Sequence, residues 1–123
     1  MKETGRPVSP HVTIYAFPAG ALSSITNRVT GIALSLGCAG LGALELVGVS
    51  SLDLLQTIGG MGFLVSSTAK FAVAFPITYH YGGALRHLWW DQTPDVLTNV
   101  DVEKSSYYLF GGATLVSLGL VFF

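Results

Sequence analysis

The chain has 123 residues, half of them hydrophobic and only 11% charged, with a net charge of −1. A soluble domain carries about a quarter charged residues, so the composition is that of a membrane protein, and the charge balance excludes a nucleic-acid partner. The single cysteine, Cys38, excludes an intrachain disulfide. No Cys-x-x-Cys-His run exists, so any haem is held non-covalently, as a b-type group.

Residues 1–21 read as an extramembrane segment. Lys2, Glu3 and Arg6 keep it polar, and Pro7, Pro10 and Pro18 keep it irregular. Val12, Ile14, Tyr15 and Phe17 suit the interface or a partner. No signal-peptide pattern is visible here. Residues 22–123 read as a transmembrane domain with spans at about 22–49, 60–90 and 104–123. Ser23, Ser24, Thr26 and Asn27 are all candidate caps for the first span. Gly31/Ser35, Ala33/Gly37 and Ala39/Ala43 give it small residues one turn apart, which let another helix approach closely. Cys38 reads as a small packing residue. Glu45 falls about 25 Å beyond Arg28 and reads as an acid at the opposite interface.

Ser50–Gly60 is expected as a short connection without Lys or Arg. The second span carries Lys70, whose stem can reach the far interface, and Pro76, which is expected to kink the helix one turn before His80. Trp89 and Trp90 mark its other end. Residues 91–103 read as a polar loop, and the third span is free of charge. Lys2, Arg6 and Arg28 lie at the start, and Arg86 and Lys104 flank the second loop, so the N-terminus is expected inside: matrix in a mitochondrion, cytoplasm in a bacterium.

Polar chemistry concentrates in Tyr79–Asp91. On a helix, His80, Gly83, Ala84 and His87 share one face. Small residues beside a histidine leave room for something flat, such as a haem. His80 falls about 16 Å from Asp91, near mid-bilayer, and His87 about 6 Å from it, at headgroup depth. His80 is then an axial haem ligand or a histidine hydrogen-bonded to another helix. His80 and His87 lie about 10 Å apart and cannot share one iron, so if a haem here is bis-histidine its second ligand comes from a partner. Three helices also close poorly around a buried histidine. Arg86 and His87 can pair with propionates or phosphates, or Arg86 can simply anchor the span. Ser24 and Arg28 are one turn apart at the mouth of the first span, on the side of His87. A hydroxyl and a guanidinium there suit a quinone, or else serve as cap and anchor.

Three stretches carry a resemblance. Arg6-Pro7-Val8-Ser9-Pro10-His11, Ser24-Ile25-Thr26-Asn27-Arg28-Val29-Thr30-Gly31, and Tyr79-His80 followed by Arg86-His87-Leu88-Trp89-Trp90-Asp91 resemble, in order, the signatures of the large cytochrome b (b560) membrane-anchor subunits of succinate dehydrogenase and fumarate reductase, complex II. The first is closest to the mitochondrial branch. The resemblance implies an all-α membrane protein of three transmembrane helices, half of a heterodimeric haem-binding bundle in the mitochondrial inner membrane. It implies one haem b, with His80 as axial ligand to the iron, and Arg28 and His87 near the propionates. Ser24 and Arg28 would line a site for ubiquinone or a low-potential quinone. The partners implied are a small cytochrome b anchor, an iron–sulfur subunit and a flavoprotein, and this chain would carry no dicarboxylate-oxidising site.

Two departures stand out. Asn27 occupies a position where the family usually has histidine, and Ala16-Phe17-Pro18 replaces a segment that commonly carries a tryptophan. Quinone type and direction of turnover are therefore left open. Two other readings compete: a haem-free structural anchor, and a transporter using Glu45, Lys70 and His80. The transporter is disfavoured, since Lys70 and His80 lie about 80° apart around the helix axis.

Overall fold

The computed structural model describes residues 5–122. Lys2 and Glu3, counted in the charge balance above, lie outside the described residues, as does Phe123 at the end of the third expected span. Four α-helices form the fold: α1 (Ala19–Leu46), α2 (Ser51–Gly60), α3 (Phe63–Gln92) and α4 (Asn99–Phe122), with short 3-10 turns at His11–Ile14 and Pro94–Val96.

The chain enters α1 through Pro18, whose carbonyl accepts from the backbone N–H groups of Ala21 at 2.9 Å and Leu22 at 3.1 Å. Proline pre-sets φ for a helix start. Ser23, Ser24, Thr26 and Asn27 therefore do not cap the helix, as expected above, but lie inside it. α1 ends in a Schellman motif. Gly48 takes φ of 80°, its N–H reaches Glu45 O at 3.1 Å, and Val49 N–H reaches Leu44 O at 2.9 Å.

The expected irregular connection is instead the helix α2. Ser50 caps it by accepting from Asp53 N–H at 3.2 Å. Glu45 Oε1 reaches back to accept from Ser51 N–H at 2.8 Å and Ser51 Oγ–H at 2.5 Å. The acid thus satisfies the start of the next helix.

α3 runs through Pro76 without interruption to Gln92. Just past it, Thr78 Oγ lies 3.0 Å from Ala74 O and 2.7 Å from Ser117 Oγ of α4. The polar loop is shorter than expected. α3 continues past Trp90, and Thr98 starts α4 early by accepting from Asp101 N–H at 3.2 Å and donating to Asp101 Oδ2 at 2.6 Å.

α3 is the central element and packs against α4, α1 and α2. Among the described residues, the buried apolar side chains are Ala19, Tyr79, Ala113 and Val121, and the buried polar ones are Ser23, Thr30, Ser106 and Ser117. Large hydrophobics such as Ile32, Leu36, Val73, Leu115 and Leu120 point outward. That distribution suits a lipid environment, where helices meet through small residues and apolar groups need no shelter. Hydroxyls are hidden by bonding back to carbonyls of their own helix, as in Thr26 to Leu22 O, Thr68 to Leu64 O and Thr114 to Phe110 O. α1 and α4 are long and apolar enough to cross a membrane. α3 is longer, at 30 residues, but is diluted by Lys70, His80, Arg86 and His87.

Candidate functional site

The expected site residues gather where α1 begins, α3 ends and α4 begins, around two adjoining hollows. The first is an open groove of ≈ 590 Å³ lined by Asn27, Arg28, Gly31, Ile32, Ser35, Leu36 and His80. His80 is half-buried, and its Nδ1 lies 3.0 Å from the backbone carbonyl of Asn27. A carbonyl only accepts, so Nδ1 carries a proton, and in a neutral imidazole the lone pair is then on Nε2. Gly31 permits the close approach of α1. A Cβ there would stand 2.9 Å from His80 Cε1.

The second hollow, ≈ 330 Å³, is lined by Gly20, Ser24, Asn27, Arg28, Arg86, His87, Trp90 and Val102. Asn27 and Arg28 line both hollows. Ser24, Arg28 and His87 are exposed, and His87 stands edge-on to Trp90 at 5.2 Å. Ser24, Arg28, His80 and His87 thus border two adjoining hollows that share Asn27 and Arg28 as walls.

Behind them lies a polar clamp that the sequence reading missed. Arg86 Nη2 donates to Ser23 Oγ at 2.8 Å, and Nη1 donates to Ser106 Oγ at 3.1 Å. The guanidinium sits 4.5 Å over the Trp90 ring. Tyr79 Oη donates to Ser23 Oγ at 2.9 Å. Ser106 spends its own proton on Val102 O at 2.7 Å, leaving its oxygen free to accept from Arg86. One cation joins α1, α3 and α4. Arg86, expected as a surface anchor or a ligand of propionates or phosphates, therefore turns into the bundle, because two serine hydroxyls converge on it and Tyr79 buttresses one of them. Tyr79, Gly83 and Arg86 are spaced by four and three residues and share a helix face. That spacing was the available signal, and the neighbouring His80 face obscured it.

Other expectations need correction. Gly83 does not leave room for a ligand: a Cβ there would clash with Asn27 Oδ1, so it serves α1–α3 packing. Ala84 is exposed. Cys38 is exposed rather than packed within the chain. Among the described residues, nothing lies within 4 Å of a Cβ built on Gly37, Gly40 or Gly42, so these three positions pack against no described neighbour. By contrast, Glu45 and Lys70 lie apart from the His80 groove, in line with the case against a transporter, Glu45 being held by Ser51 and Lys70 lining another hollow. Asn27 Oδ1 and Arg86 Nε are buried without a hydrogen-bond partner among the described residues.

The donor set suits one face of a b-type haem. The groove offers one imidazole nitrogen with a free lone pair, apolar walls from Ile32 and Leu36, and Arg28 at the rim. It covers only one side.

Fold and site together define an all-α membrane protein with a histidine-lined groove. The chain belongs to the succinate dehydrogenase/fumarate reductase transmembrane subunit family, whose model matches residues 2–121. It is 45% identical over 121 residues to the mitochondrial succinate dehydrogenase cytochrome b560 subunit of Sus scrofa, covering 95% of this chain and 70% of that protein. The protein of the same name from Dictyostelium discoideum is 37% identical over 118 residues, covering 95% and 62% respectively. The one from Homo sapiens is 45% identical over 92 residues, covering 72% and 54%. The chain thus spans between about half and about two-thirds of the length of these relatives.

Proposed function

We propose that this chain is the large cytochrome b anchor of a complex II in the mitochondrial inner membrane. It spans the membrane three times, through α1, α3 and α4, with its N-terminus in the matrix. In this reading it is half of a haem-binding bundle completed by a small cytochrome b anchor. It holds an iron–sulfur subunit and a flavoprotein at the membrane, and passes electrons between the iron–sulfur subunit and membrane quinone. The dicarboxylate chemistry belongs to the partners.

The observation that carries the reading is the hydrogen bond from His80 Nδ1 to Asn27 O at 3.0 Å. A proton on Nδ1 leaves Nε2 to act as a ligand, and a metal-bound histidine commonly donates its other ring N–H to a carbonyl in this way. His80 would hold the haem iron, and Arg28 and His87 would neutralise the propionates. When bound, the haem supplies a one-electron redox centre in the membrane. Ser24 donates a hydrogen bond to a quinone oxygen. Arg28, one turn on, stabilises the negative charge that develops there on reduction. The clamp behind them holds α1 against α3, so that both side chains keep their positions.

Ser24→Ala and Arg28→Ala are expected to depress succinate–quinone turnover by about 10²-fold or more, while succinate oxidation by a water-soluble dye stays near wild type. Equal loss of both activities would point to failed assembly and overturn the quinone assignment.

A further inference from the structure

A third hollow lies at the other end of the bundle, and the proposed electron path makes no use of it. It measures ≈ 660 Å³ and is bounded by Leu55 and Ile58 of α2, Ser66, Lys70 and Ile77 of α3, and Leu120 of α4. We propose that it is a binding site for a phospholipid of the surrounding bilayer, with the phosphodiester on Lys70 and Ser66 and an acyl chain along Val73, Ala74 and Ile77. The proposal rests on the reading that α3 crosses the membrane.

Three observations carry it. Lys70 lies about 24 Å from Arg86 along α3, so the two cations serve opposite leaflets. The groove then changes character with depth in the way a lipid does. Ser66 and Lys70, one turn apart, offer a hydroxyl and an ammonium at its outer end. For about 10 Å toward the bilayer centre its walls are apolar. Finally, Lys70 has no anion of its own among the described residues. Glu45 is bound to Ser51 N–H and Oγ–H. Asp53 sits in the first turn of α2, whereas the later residues Leu55, Ile58 and Gly59 line the groove. An ammonium whose stem lies in an apolar groove snorkels to the interface, where the anion available at that depth is a lipid phosphate.

The test uses the assembled membrane complex, released in mild detergent and weighed by native mass spectrometry, with subunit composition and haem per flavin recorded for each variant. Lys70→Gln is expected to lower retained phospholipid at this site about fivefold, and Lys70→Arg to preserve it. Ala74→Phe, which fills the groove and keeps the charge, is expected to lose the lipid as well. A photoreactive residue at Ile77 in the wild-type complex is expected to capture a phospholipid. Unchanged lipid in Lys70→Gln with intact subunits, or capture of a protein chain or a quinone at Ile77, would overturn the proposal. Altered subunit composition in the wild type would instead count against the anchor reading.

Discussion

Replacing Gly31 by alanine puts a methyl carbon 2.9 Å from His80 Cε1 and 3.3 Å from Nδ1. Carbon pairs settle at about 3.5–4.0 Å, so the ring must retreat by roughly 0.6 Å or more. Its hydrogen bond to Asn27 O, 3.0 Å in the native structure, then stretches past the useful range. Losing that bond costs about 1 kcal/mol, and overpacking the α1–α3 contact costs about 1–3 kcal/mol. The sum corresponds to a loss of roughly 30- to 700-fold in haem retention. The assay is transfer of haem from the purified complex to excess apomyoglobin, followed by absorbance and normalised to flavin. Gly31→Ala that keeps its haem as wild type does, with all subunits present, would refute the link between Gly31, the ring position and ligation.

Two further predictions concern the scaffold. Arg86→Lys keeps the charge but loses the planar fork that reaches Ser23 and Ser106 together while lying over Trp90. The complex should melt several degrees lower in a thermal scan, and a wild-type melting curve would show that the clamp adds nothing to stability. Glu45→Ala strips the acceptor from Ser51 at the start of α2, a loss of about 1 kcal/mol. Backbone amides of α2 should exchange about fivefold faster, while those of α4 are unchanged. Uniform exchange in both would remove Glu45 from that role.

The helical fold and the site were legible to different depths. His80, Ser24 and Arg28 announce themselves by local spacing and by being polar groups in an apolar run, and the structure brings them to adjoining hollows. Arg86 was misread because its environment is non-local: Ser23 lies on α1 and Ser106 on α4, and no single-helix pattern shows that both hydroxyls meet it. Gly83 and Gly31 were both visible as small residues, but only the packing tells which one faces Asn27 and which one faces His80. α2 escaped notice because its helix depends on end effects, the Ser50 cap and the reach of Glu45, rather than on a long apolar period. The start of α1 was misplaced for a related reason. Pro18 needs no hydroxyl cap, so the Ser and Thr residues that follow were free to enter the helix and serve the bundle.

The proposed function turns on His80 holding a b-type haem. The most direct measurement is the dithionite-reduced minus oxidised spectrum of the purified complex, in wild type and His80→Ala, with subunits counted on a gel. A b-type α-band is expected in the wild-type four-subunit complex, and it is lost or strongly reduced in His80→Ala while the partners remain. The same band at wild-type intensity in His80→Ala would contradict that role of His80.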